Sequence, residues 1–169
     1  MKRSNHRQAK PRLESLEAIA PPAAGAAGAA AHAAVSAAIN HGPHLGLEGT
    51  FQGTYTQVFI NPDAGRQQSL VGTGRLENLG AFKLTGTLHT PGFIARGHAA
   101  GTLTLANTKG TIKVSLVGPT EPGFGGIPSS FTYSITGGSG KYFGAHGNGV
   151  VTLADTNNAA TGPFTMRFH

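Results

Sequence analysis

Apolar and polar residues alternate at every second position through most of residues 48–169, and Gly or Pro residues interrupt the alternation at regular intervals. A period of two is typical of β-strands with one buried face, whereas an amphipathic helix repeats every 3.6 residues. The interruptions, such as NPDAG at 61–65 and NTKG at 107–110, contain residues that supply positive φ or preset a bend. The segment therefore predicts strands joined by turns, with no need for a helix.

The alternation predicts eight strands, at 49–60, 67–77, 81–90, 94–106, 111–118, 129–136, 145–154 and 162–169. Sequential strands with short turns pair antiparallel, while a parallel sheet needs crossover helices. We therefore expect an all-β fold, a closed antiparallel eight-stranded barrel, with a β-sandwich as the alternative. One face is apolar from Phe51 through Phe59 to Phe168, and glycines within the strands fit the sharp coiling of a narrow barrel.

Composition changes abruptly at residue 47, which divides the chain into a segment at 1–47 and the barrel domain at 48–169. The first segment has a basic start and then an Ala- and Gly-rich tract, in which 13 of the 21 residues at 18–38 are alanine. Alanine favours helix, whereas Pro21, Pro22 and the glycines oppose it. We expect a disordered or weakly helical linker, and no transmembrane span, because the tract has no leucine-type apolar run.

The chain carries a net charge of +6 at pH 7. Residues 1–47 hold five basic and two acidic side chains, and residues 48–169 hold eight basic and five acidic ones, so each part contributes +3. A phosphate-binding face needs clustered Lys and Arg, usually with aromatic residues for stacking. Lys83, Lys109, Lys113 and Lys141 occur singly along the chain. The pattern therefore predicts no nucleic-acid partner.

Residues 10–17 have the sequence KPRLESLE and follow a basic start that includes Lys2, Arg3 and Arg7. They resemble the R-P-R-L-E-x-L-E segment near the N-terminus of many exported planctomycete proteins, with Lys10 in place of the first Arg. The resemblance implies a bacterial exported protein, located in the periplasm, at the cell surface or outside the cell. It implies nothing about activity.

Residues 135–147 have the sequence ITGGSGKYFGAHG. They resemble the G-G-T-G-x-F-x-x-A-x-G signature of dirigent proteins and the related allene oxide cyclase-like barrels, with Ser139 in place of Thr and Tyr142 in place of Phe. The resemblance implies an eight-stranded barrel, often a homotrimer, whose central cavity holds a small apolar substrate. Physically, the motif predicts a Gly-rich hairpin or loop that enters a strand and turns its aromatic side chain into the barrel.

Few polar side chains face the predicted interior. Tyr55, Gln57 and Tyr133 point inward by parity, and Tyr142 joins them from the Gly-rich loop, so these four are the candidate wall of a ligand-binding cavity. All carboxylates map to strand ends or turns, which removes the interior acid that catalysis of the cyclase type would use. We therefore predict no catalytic residues.

We also predict no cofactor and no metal site. The chain has no cysteine, and its eight histidines show no recognisable ligand spacing. The string GGSGK is not a phosphate-binding loop, because Ile135 stands where that motif has Gly and Tyr142 stands where it has Ser or Thr.

Three functions are compatible with these features. The first is an exported, noncatalytic barrel that binds a small apolar ligand or a partner. The second is a dirigent or allene oxide cyclase-like enzyme that acts on a small apolar substrate. The third is a purely structural cell-surface module with a solid interior. An open cavity lined by the tyrosines favours the first, an interior acid the second and a filled core the third.

Overall fold

The computed structural model describes residues 42–92, 97–119, 127–155 and 159–169, and within them it contains eight strands and no helix. The strands are β1 Gly49–Asn61, β2 Gly65–Leu76, β3 Gly80–Thr90, β4 Ala99–Asn107, β5 Gly110–Gly118, β6 Ser130–Gly140, β7 Gly147–Asp155 and β8 Thr161–Phe168. The predicted linker up to residue 41 lies outside the described residues.

The eight strands form one antiparallel sheet that closes on itself. Each strand pairs with its neighbours in sequence, and β1 pairs with β8 to complete the ring. This confirms the prediction of eight antiparallel strands in a closed all-β sheet. No described residue belongs to a helix long and apolar enough to cross a membrane.

The inside of the ring is filled by large apolar side chains that meet glycines on the neighbouring strands. A Cβ atom added to Gly74 would lie 2.5 Å from the ring of Phe51, and one added to Gly149 would lie 2.7 Å from the ring of Tyr133. Small residues opposite large ones allow a narrow closed sheet to fill its interior. The buried apolar residues are Leu47, Phe51, Tyr55, Leu70, Leu76, Phe82, Leu84, Leu88, Ala99, Leu103, Leu105, Ile112, Val114, Leu116, Phe131, Tyr133, Ile135, Tyr142, Ala145, Val151, Leu153, Phe164, Met166 and Phe168.

The outside of the ring carries a row of small polar side chains that follows from the strand register. Each residue of the row is the pairing partner of the next, so the row crosses all eight strands. Its members are Thr161, Thr56, Ser69, Thr87, Thr102, Ser115, Ser134 and Asn148. Hydroxyl side chains suit an exposed strand surface, which explains how one sheet face stays hydrated while the other is buried.

The β1–β2 hairpin extends past the part of the sheet that covers the core. Pairing of β1 with β8 reaches only Thr56 and Thr161, and the register with β2 shifts between Phe59 and Asn61. The prediction that Phe59 belongs to the core is therefore wrong: the side chain is 51% exposed. The neighbouring Val58 and Ile60 are also exposed.

Two strand limits differ from the sequence prediction by more than two residues. The fourth strand begins at Ala99 rather than at 94, and residues 97–98 are not strand. The sixth continues through the Gly-rich motif to Gly140, because Gly137 adopts a φ of 142° at a bulge opposite Lys113 and Val114. Glycine reaches this conformation without the steric cost that a side chain imposes.

Candidate functional site

The two ends of the ring can be distinguished by which connections they carry. We call the end at which β1 begins the proximal end. Because neighbouring strands run in opposite directions, the β2–β3 turn at 77–79, the β4–β5 turn at 108–109 and the β6–β7 turn at 141–146 all lie at this end. The other four connections lie at the distal end.

Tyr55 and Gln57 lie two residues apart on the inner face of β1, toward the distal end. Tyr55 is 2% exposed, and a Cβ atom added to Gly162 of the paired strand would lie 2.9 Å from its hydroxyl oxygen. Gln57 is half-buried and accepts a 2.8 Å hydrogen bond from the amide of the buried Gln68 on β2. The side-chain oxygen of Gln57 is thus already used within the protein.

Tyr133 connects β6 to the chain that leads into β1. Its hydroxyl accepts a hydrogen bond of 2.9 Å from the backbone N–H of Leu47 and donates one of 3.4 Å to the carbonyl of the same residue. Its ring packs edge-on against Phe168 at 5.3 Å, and Phe168 packs against Phe51 at 5.7 Å. The hydroxyl therefore provides hydrogen-bond partners for the buried backbone N–H and carbonyl of Leu47, which is the usual role of an interior tyrosine.

Tyr142 lies in the β6–β7 turn, and its ring is buried against Phe82 with 5.8 Å between centroids. Its hydroxyl accepts a 2.9 Å hydrogen bond from the side-chain amide of Asn107. The oxygen of that amide accepts a bond of 2.8 Å from the backbone N–H of Lys109. Tyr142 therefore braces the β4–β5 turn.

The four residues predicted to line one cavity lie at three separate places. Tyr55 and Gln57 are close together on β1. Tyr133 is hydrogen-bonded to Leu47, and Tyr142 is hydrogen-bonded to Asn107. Their assignment as a ligand-binding wall remains a prediction.

A groove of about 920 Å³ opens on the surface of the proximal end, next to Tyr142 and Asn107. Strands β2 and β3, the turn between them, and the β4–β5 turn form its sides. We call it the proximal groove. Its lining residues are Thr73, Gly74, Leu79, Gly80, Ala81, Phe82, Lys83, Ala106, Asn107, Thr108 and Lys109.

The proximal groove exists because outward positions on two neighbouring hairpins carry small residues. Ala81 is exposed and Ala106 is half-buried, and neither side chain fills the space above the sheet. Leu79 in the β2–β3 turn packs against the edge of the core and gives the groove an apolar wall. A depression of this kind can bury the apolar body of a small ligand.

Two cations accompany this apolar wall. Lys83 projects from the exposed face of β3, and Lys109 is exposed in the β4–β5 turn. Lysine is a flexible point charge with three donors, so the pair favours an anionic group near the opening of the groove.

The described lining of the proximal groove supplies ammonium, amide and hydroxyl groups but no carboxylate or imidazole. Glu48, Asp63 and Glu77 are exposed, and each lies outside that lining. Within the described ranges, no group of three or more His, Cys, Asp or Glu side chains could hold a metal ion. The described lining therefore offers positive charge and hydrogen-bonding groups to a bound molecule.

Sequence reasoning missed the proximal groove, since it searched for polar residues inside the ring. The available signal for a groove was a pair of small outward residues near two turns. Ala81 follows the β2–β3 turn and lies two residues before Lys83, and Ala106 lies just before the β4–β5 turn that contains Lys109. No family model, curated protein or solved structure matches this chain.

Proposed function

We propose that this chain is a small, exported β-barrel protein that binds a ligand without transforming it. The ligand class is a small amphipathic anion, an apolar body that ends in a carboxylate, and the site is the proximal groove. The observation that carries this proposal is the combination of an apolar groove of about 920 Å³ with Lys83 and Lys109 in its lining. Export is part of the proposal because of the KPRLESLE segment at 10–17.

The apolar wall supplies the affinity in this proposal. Removing apolar surface from water contributes about 25 cal/mol per Å², so covering Leu79, Ala81 and Ala106 with a hydrocarbon chain is favourable. A groove of this size also lies within the usual range for small-molecule sites, roughly 300–1,000 Å³. The lysines then select an anionic head group over a neutral one, and each exposed charge pair contributes about 0.2–1 kcal/mol.

The proximal groove is a better candidate than the interior because the hydroxyls of Tyr133 and Tyr142 already have protein partners. A ligand that enters the ring would have to replace those hydrogen bonds and displace packed apolar side chains. Both changes cost free energy. The groove is open to solvent, so a ligand can bind there without either change.

NMR titration of the isotope-labelled full chain with decanoate tests the proposal. We expect saturable shifts of backbone amides at 79–83 and 106–109. Decanol, which has the same tail without the charge, should bind more weakly. Shifts confined to β1 and β6 would instead place the ligand inside the ring, near Tyr55 and Tyr133. A complete lack of saturable shifts would favour the purely structural module.

Two kinds of variant separate the contributions. Lys83→Gln and Lys109→Gln should each weaken decanoate binding by roughly 1.5- to 5-fold and leave decanol binding unchanged. Lys113→Gln is the matched control, because Lys113 is exposed on β5 and does not line the groove. Ala81→Trp should occupy part of the groove and weaken binding of both compounds, and the fold should be retained because Ala81 is exposed.

The homotrimer implied by the resemblance of the Gly-rich motif belongs to the same proposal. Native mass spectrometry of the full chain measures the number of copies directly, and a monomer would remove this part of the proposal while leaving the groove untouched.

A further inference from the structure

Two histidines that are distant in sequence meet at the proximal end. His44, in the chain that leads into β1, and His146, just before β7, form an isolated parallel β-bridge. Their imidazole rings lie 5.3 Å apart between centroids, with an angle of 84° between the ring planes. Both residues are exposed. Sequence spacing alone gave no reason to pair them.

The backbone holds this pair in place on both sides. The N–H of Leu45 donates a 2.8 Å hydrogen bond to the carbonyl of His146, and the N–H of His146 donates one of 3.1 Å to the carbonyl of Pro43. Gly42 lies so close to the backbone of Gly144 that a side chain would not fit between them. The two imidazoles therefore project from a fixed pair of backbone segments, which lowers the entropic cost of bringing them to one ligand.

We propose that His44 and His146 together bind one divalent transition-metal ion of the zinc class, with water completing the coordination. Imidazole is a preferred ligand of such ions, at a zinc–nitrogen distance of about 2.0–2.1 Å. Two imidazoles on one tetrahedral ion have ring centroids roughly 5 Å apart by that geometry. The observed separation of 5.3 Å is close to that spacing, and both side chains are exposed, so a rotation of the rings can bring one nitrogen of each to the ion.

The bound ion would join two segments that backbone hydrogen bonds already hold together. One is the chain at 42–47 that leads into β1, and the other is the β6–β7 turn at 141–146. With two protein ligands on a four-coordinate ion, the other two coordination positions are open to water or to an exchangeable ligand. The ion would thus add a second link between the start of the folded ring and the β6–β7 turn.

Calorimetric titration of the full chain with Zn²⁺ tests the proposal. Wild type and the control His98→Gln should bind one ion at the paired site, because His98 is exposed and lies at the distal end. His44→Gln and His146→Gln should each weaken that binding by about tenfold or more, since the second imidazole binds intramolecularly. The variant that carries both substitutions should have an affinity for Zn²⁺ only slightly lower than that of either single variant.

Imidazole resonances provide a measurement on the unaltered chain. Addition of Zn²⁺ should move the ring signals of His44 and His146 together and at the same metal concentration. Movement of other histidines alone, equal affinity in the three single variants, or no saturable binding in wild type would each overturn the proposal.

Discussion

The hydroxyl of Tyr133 is one of the contacts that tie the chain before β1 to the ring, and Tyr133→Phe removes it with almost no change in shape. The hydroxyl accepts from the N–H of Leu47 at 2.9 Å, and Leu47 is only 1% exposed. Without the oxygen, a buried N–H loses this partner and no water can easily reach it. The aromatic ring stays in the core, so the variant tests the hydrogen bond rather than the packing.

The size of the effect follows from that burial. A buried backbone donor without a partner costs about 1–3 kcal/mol, and we expect Tyr133→Phe to lower the free energy of unfolding by this amount. For a domain of this size each kcal/mol corresponds to roughly 3–4 °C, which gives a fall in Tm of about 3–12 °C. The alternative response is local: Leu47 leaves its site, and its own burial, worth about 1.5–3 kcal/mol, limits the loss.

Urea unfolding followed by circular dichroism measures the global loss, and amide hydrogen exchange at Leu45 and Leu47 detects local opening. Tyr142→Phe is the matched control. It also removes a tyrosine hydroxyl, but the donor there is the half-buried amide of Asn107, which can turn to water. We expect the control to lose less than about 1 kcal/mol.

Two results would refute this reasoning. One is a Tyr133→Phe variant within about 0.5 kcal/mol of wild type, with unchanged exchange at Leu47, since ordinary surface substitutions stay within that range. The other is an equal loss in the two tyrosine variants, which would show that burial of the donor does not set the cost.

Three further substitutions test the packing of the ring by the same urea unfolding. Gly149→Ala places a methyl group 2.7 Å from a tyrosine ring on β6 and should cost about 1–3 kcal/mol, while Gly46→Ala, with no atom within 4 Å, should be close to neutral. Gln57→Ala leaves the buried amide of Gln68 without its acceptor and should cost about 1–3 kcal/mol. Phe59→Ser should stay within about 0.5 kcal/mol of wild type, because Phe59 is exposed; a larger loss would show that it packs in the core.

The strand count and the inner face were accessible from sequence because both depend on local properties. Period-two alternation identifies which residues share a face, and turn residues mark where strands end. Phe59 shows the limit of this reasoning. Its parity places it with Phe51 and Tyr55, yet β1 continues beyond its pairing with β8, and the side chain then has no core beneath it. Parity predicts a direction, whereas burial also needs a neighbouring strand.

The contacts at the candidate sites were not accessible because they depend on register between distant strands. The partner of Tyr133 is Leu47, which the sequence assigns to the linker, and the partner of Tyr142 is Asn107 in a different hairpin. No sequence spacing predicts either contact, whereas fixed spacings predict which residues share a face of one helix or strand. Parity placed Tyr55 and Tyr133 inward, where both are buried, but it did not identify the buried Gln68. The composition of a strand also does not specify which inward side chains meet.

Both candidate sites lie at the proximal end, and the proximal groove lies beside the two shortest connections of that end. The β2–β3 and β4–β5 turns span only 77–79 and 108–109, so the strands that flank them fix the positions of their side chains. Binding sites need side chains that the scaffold holds in position, and short turns on paired strands provide this. The side chain of Asn107 lines the groove, accepts a hydrogen bond from the backbone N–H of Lys109 and donates one to the hydroxyl of Tyr142. It therefore links the β4–β5 turn to the buried ring of Tyr142.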